Sequence, residues 1–191
     1  AEIDSATGEF LQINQRYCDL AGLSRTEMIG STFQEITHPD DIHDDLDQMT
    51  RLLSGEHREF TLEKRYVRPD AGTVWVKLTV SPMWRPGEEP STHIAVVEDV
   101  TARKQFEQKL QQSQFLLRRV LDTDPAVVFV KDRDSRILLA NNSMASFYGL
   151  RDEDVLGRFH SELHDERGSN PVDVESWLAD DRHVIESGET L

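Results

Sequence analysis

The sequence has 191 residues, room for one or two domains of ordinary size, and 37% of them are hydrophobic. A formal charge of −15 opposes nucleic acid or an anionic membrane as a partner. One cysteine, Cys18, rules out an internal disulfide and fits a reducing compartment, so a cytoplasmic location is expected. No apolar run reaches membrane-spanning length, so no membrane contact is expected of this stretch.

Ala1–Asp4 reads as the end of a strand whose start is clipped, and Phe10–Ile13 as the next strand. Asn14 is placed to cap a short helix, because its side chain can accept an orphan amide proton of the first turn; Gly22 is its left-handed stop. Ser24 and Glu27 have capping-box spacing and open a second short helix that ends at Gly30. Pro39 suits the first turn of a longer helix, and Asp40, Asp41, Asp44 and Asp45 favour its positive end. Its apolar stripe is read as Ile42, Leu46, Met49 and Leu53, stopped at Gly55. The period then changes. Phe60, Leu62 and Tyr66 share one face of a strand, and Val74, Val76, Leu78 and Val80 alternate strictly in the next. Asp70–Gly72 is the turn between them, Arg85–Pro90 a second turn and Ile94–Val97 a third strand. This order predicts an α+β domain, an antiparallel five-stranded sheet with short helices on one face.

From Ala102 to about Leu121 there is no Gly or Pro, which predicts one helix. Phe106, Leu110, Ser113, Leu117 and Val120 are spaced 4, 3, 4, 3, a coiled-coil seam that Arg103 extends backwards. A seam this short, holding a Ser and an Arg, is weak, and its partner is expected to be a second copy of the chain. Beyond it the first pattern returns. Phe10–Leu23 recurs without a gap at Ile137–Leu150, with Leu11/Leu138, Asn14/Asn141, Gly22/Gly149 and Leu23/Leu150 identical. A long repeat of this kind is two copies of one domain. The expected organisation is a domain over 1–101, a linker helix over 102–122, and a truncated second domain over 123–191 that lacks the last three strands.

The set Asn14, Gly22, Thr37–Asp41, Glu63–Tyr66, Asp70, Gly72, Trp75, Pro82 and above all Asp99-Val100-Thr101-Ala102-Arg103-Lys104 resembles a PAS sensory domain with its PAC segment. The second copy is similar to the PAS variety that begins Phe129-Val130-Lys131-Asp132. The resemblance implies a sheet that cups a small-molecule cavity and a helix that carries the signal away, with no chemistry of its own. It implies that Asp99 and Thr101, with Arg103 beside them, couple the last strand to the helix. The implied output is a histidine kinase or diguanylate cyclase outside this stretch. Asp99 is further read as accepting from the first helical amides or pairing with Arg103.

The sharper chemical readings are weaker than their plain alternatives. Haem would need a histidine on the long helix, but His43 falls off the apolar stripe, and His183 falls off the Trp177/Ile185 stripe. His38 belongs to the start of the long helix. His160 and His164 have zinc-like spacing without the glutamate of a protease motif. Flavin photochemistry would need another context for Cys18, which reads as a semi-buried structural residue with Asp19 beside it. No cofactor or metal is therefore assigned. Two functions remain, a sensor of a small molecule or redox cue and a ligand-free dimerisation module. Convergent polar groups in a cavity would mark the first, and a closed aliphatic interior the second.

Overall fold

The computed structural model describes residues 1–70, 72–159, 161–163 and 171–188, in two compact units, Ala1–Gln108 and Lys109–Leu191. In the first, β1 (Glu2–Asp4), β2 (Phe10–Gln12), β3 (Phe60–Val67), β4 (Thr73–Pro82) and β5 (Thr92–Asp99) form an antiparallel sheet in the order β2-β1-β5-β4-β3. Between β2 and β3 run α1 (Gln15–Ala21), α2 (Arg25–Ile29), α3 (Phe33–Ile36), a 3-10 turn (Pro39–Asp41) and α4 (Ile42–Leu53). Their buried residues share one core with the inward face of the sheet.

Local chemistry sets the helix ends as expected. The Asn14 side chain accepts from the Tyr17 amide, and Gly22 closes α1 at φ 73°. Ser24 and Glu27 form a reciprocal capping box on α2. His38 caps the 3-10 turn, its Nδ1 accepting from the Asp40 amide at 3.3 Å. Val74, Val76, Leu78 and Val80 are all buried, as their alternation requires. Strand β5 is longer than the predicted Ile94–Val97. It turns His93 and Ala95 inward, with Val97 half-buried against the core, while Ile94 and Val96 face out.

The stripe predicted on the long helix is corrected. On α4 the buried residues are Asp45, Met49 and Leu52, whereas Leu46 and Leu53 are exposed. The helix is turned so that a carboxylate, not Leu46, enters the core. The cause is a lysine opposite it on β3.

Helix α5 spans Thr101–Thr123. In the second unit, β6 (Phe129–Lys131) and β7 (Ile137–Ala140) pair as a two-stranded sheet, followed by α6 (Asn142–Tyr148), α7 (Asp152–Val155) and a helix over Pro171–Ser187. Its core gathers Ile137, Ala140, Met144, Ala145, Val155 and Leu163. The repeat holds in geometry. Asn141 caps α6 at φ −92°, ψ 170°, against −89°, 162° for Asn14, and Gly149 closes it at φ 68°.

Candidate functional site

Strand β3 alternates, so Phe60, Lys64 and Tyr66 point inward with Leu62 half-buried, while Glu63 and Arg65 point outward. Lys64 is therefore carried into the core by register, and a buried ammonium must be paired. Its Nζ donates to Asp45 Oδ2 of α4 and, at 3.0 Å, to Thr37 Oγ1. Both charged side chains are 1% exposed. The ammonium also lies 5.3 Å and 5.2 Å from the Phe33 and Tyr66 ring centres. Burial pushes the Lys64 pKa down, and Asp45 opposes that shift.

The same interior holds two further polar contacts. The Tyr17 and Tyr66 hydroxyls are 2.7 Å apart. Burial raises both phenols, that of Tyr66 well above the ordinary range. Ser5 Oγ and His93 Nδ1 are 2.9 Å apart, and burial lowers His93 to about 4. The cavity among Tyr17, Asp45, Lys64, Tyr66 and His93 measures about 10 Å³, room for one water at most. The interior is polar and convergent, and it is filled.

On the outer face, the root of α5 is fastened to β3 and β4. The Val100 amide donates to the Trp75 carbonyl at 2.9 Å. Thr101 Oγ1 accepts from the Trp75 amide at 3.0 Å and donates to the Trp75 carbonyl at 3.4 Å. Asp99 Oδ1 accepts from the Thr101 amide at 2.9 Å. Glu63 receives Arg103 at 2.5 Å and Lys104 at 2.7 Å. Those two cations hold the Glu63 carboxyl below its usual range, Lys104 contributing most. Lys104 and Arg65 stand 5.0 Å and 5.4 Å from the Trp75 ring centre, and Arg65 is bound by Asp41.

Of the expected contacts of Asp99, the helical amide is present, but the base is not its partner. Arg103 pairs with Glu63 and, one turn along, Glu107. Crossing to β3 gives Arg103 a carboxylate that already faces outward beside it. Glu63, Lys64, Trp75 and Asp45 were not singled out as functional from the sequence. The available signal was a lysine in register between Leu62 and Tyr66, because an inward charge demands an inward partner.

The seam residues Phe106, Leu110, Leu117 and Val120 are all exposed, Phe106 at 69%, and Ser113 is exposed with them. Cys18 is fully buried rather than half-buried. His43 and His183 lie in solvent, and His160 and His164 fall outside the described residues. Among the described residues no cluster of three His, Cys, Asp or Glu could hold a metal, and no helix is long and apolar enough to cross a membrane.

Comparison with known proteins agrees with this geometry. Residues 2–102 match the PAS domain family, and residues 121–191 match a second family described as the PAS fold. The probable diguanylate cyclase DgcE of Escherichia coli is 39% identical over 105 residues, 55% of this chain and 10% of that protein. The sensor histidine kinase TmoS of Ectopseudomonas mendocina is 24% identical over 104 residues, 54% of this chain and 11% of that protein. The chain thus spans about a tenth of the length of these relatives. A solved sensory box histidine kinase/response regulator from Burkholderia thailandensis shares the fold, with TM-score 0.50 and 22% identity over 62% of this chain and 88% of that one. With two such matches in tandem, the chain belongs to the PAS domain family of sensory domains in signal-transduction proteins.

Proposed function

We propose that this stretch senses a small molecule or redox cue at the polar core of the first domain. It passes the change through α5 to a histidine kinase or diguanylate cyclase elsewhere in a longer cytoplasmic protein, and it catalyses nothing itself. The observation that carries this reading is the alternation of β3. Lys64 faces the core and holds Asp45 of α4, while its neighbours Glu63 and Arg65 face outward and hold the root of α5 and Asp41. A strand cannot shift one residue's backbone without its neighbours, so a change at Lys64 moves Glu63. The filled interior gives the cue its mechanism. A ligand larger than water needs α4 to give way and the Lys64–Asp45 contact to break, which couples binding to a second arrangement. Asp99, Thr101 and Arg103 then act at the transmitting junction. The exposed Phe106, Leu110, Leu117 and Val120 act as a homodimer seam whose weakness keeps two arrangements close in energy.

The rival reading, a ligand-free dimerisation module, is favoured by the same filled interior. The two separate in the full-length protein. Native mass spectrometry should find a small molecule retained by wild type and lost in Lys64→Met. Asp99→Ala and Glu63→Gln should each cut the response of output activity while leaving the melting curve nearly in place, whereas Val97→Ala should lower stability with the response kept. A wild type that carries no ligand and an output indifferent to the junction variants would leave the module reading standing.

A further inference from the structure

The two copies use one repeated residue, Asn14 and Asn141, differently. In the second unit Asn141 is fully buried and uses its whole side chain. Oδ1 accepts from the Met144 amide, the cap, and from the Val128 amide, both at 3.0 Å. Nδ2 donates to the carbonyls of Leu121 at 2.9 Å, Ala126 at 2.8 Å and Asp124 at 3.4 Å. Those carbonyls belong to the last turn of α5 and the bend that follows it. Asp122 Oδ1 accepts from the Asn142 amide at 3.0 Å, and Arg118 donates to the Ala140 carbonyl at 2.8 Å. The end of one helix is thus clasped onto the start of the copy behind it.

In the first unit Asn14 keeps only the cap, its Oδ1 accepting from the Tyr17 amide at 3.0 Å. Among the described residues its Nδ2 donates to none, and the side chain opens into a groove of about 680 Å³ with Leu11, Ile13, Arg25, Ile29 and Ile94. Register says what belongs there. Val130 pairs with Leu139, and Glu2 pairs with Gln12, the counterpart of Leu139 in the repeat. Asp4 and Asp132 match in turn, each carboxylate accepting the amide two residues on. Phe129 therefore corresponds to Ala1. Everything Asn141 clasps, Leu121 to Val128, corresponds to chain that runs into Ala1. The chemistry is complementary, because the Asn14 amide and the Arg25 guanidinium offer donors where a helix C-terminus offers unpaired carbonyls and the negative end of its dipole.

We propose that in the longer protein Asn14 clasps the C-terminal turn of a helix leading into Ala1, as Asn141 clasps that of α5. Each sensory copy is then held by the helix before it, so the first domain receives a mechanical input as well as sending one. This goes beyond the ligand-driven reading and does not depend on it.

The test is hydrogen exchange read by mass spectrometry on the full-length protein. Asn14→Asp keeps the capping oxygen, replaces the donor by a charged acceptor, and stands at an exposed N-cap position that accepts Asp, so the fold is retained. The residues just before Ala1 should be protected in wild type and should exchange on the order of tenfold faster in Asn14→Asp, the size of one lost hydrogen bond. Asn141→Asp puts a carboxylate at a buried position against three carbonyls and should loosen residues 121–128 by more than that. Unprotected residues before Ala1 in wild type, or protection unchanged by Asn14→Asp while Asn141→Asp responds, would overturn the proposal.

Discussion

Lys64 and Asp45 form a fully buried ion pair in a small domain, and removing either side leaves the other charge uncompensated. Lys64→Met alone, or Asp45→Leu alone, should cost about 3–5 kcal/mol. The double variant replaces two desolvated charges by apolar groups and should recover most of that loss. Urea midpoints of the four proteins check it, and a double variant as unstable as the sum of the singles would show that the pair is not the unit. His93 gives a second prediction, with a sign. Burial holds its folded pKa at about 4, with Lys64 nearby acting in the same direction and Asp4 against it. The unfolded chain takes up this proton near the ordinary value of about 6.5, before the folded one does. Stability from His93 is therefore complete above that value and falls with pH through the window down to about 4, by up to about 3 kcal/mol. His93→Gln should flatten the fall between about pH 7 and about pH 5. An unchanged slope would remove His93 as its source.

At the scale of elements, what could be read from the sequence was what neighbours along the chain decide. Asn14, Gly22, the Ser24–Glu27 box and the alternation of β4 each act within a few residues, and each formed as expected. The inward face of α4 did not, because it is set from across the domain. Its apolar period favoured Leu46, yet Lys64 on β3 draws Asp45 inward and leaves Leu46 exposed. Of the two contacts open to Asp99, the local one to the Thr101 amide forms, while Arg103 reaches Glu63, far off in sequence and adjacent in space. Helix α5 poses the opposite problem. Its apolar residues obey a clear period and are exposed along the chain's own surface, and a helix without a buried face draws little stability from packing. If Phe106, Leu110, Leu117 and Val120 form a parallel homodimer seam, Leu110→Lys with Leu117→Lys should shift the sedimentation of the chain from dimer to monomer. Phe115→Lys, off the seam, should leave it unchanged. Equal effects from both would assign the association to general stickiness of the helix.

At the scale of the whole chain, the repeat supplies an internal control that a single domain lacks. Asn14 and Asn141 have the same backbone angles and the same capping bond, but only Asn141 is buried and tied to the preceding segment. The capping part is common to both, about 0.5–2 kcal/mol for loss to alanine. Asn141→Ala also removes the donor from the carbonyls of half-buried Leu121 and exposed Ala126, a further loss of about 0.5–1.5 kcal/mol per hydrogen bond. Each unit has its own core, so the losses should be confined to the unit that carries the change. In the 191-residue chain, hydrogen exchange should show Asn141→Ala loosening β7 and α6 more than Asn14→Ala loosens β2 and α1, with Tyr17 and Val76 amides unaffected by the former. Equal losses in the two units would mean that the amide bonds of Asn141 add nothing to the cap. Loosening of the first core by Asn141→Ala would mean that the units do not unfold independently. The comparison needs no stimulus and no ligand, because it weighs one residue type against itself in two settings of the same fold.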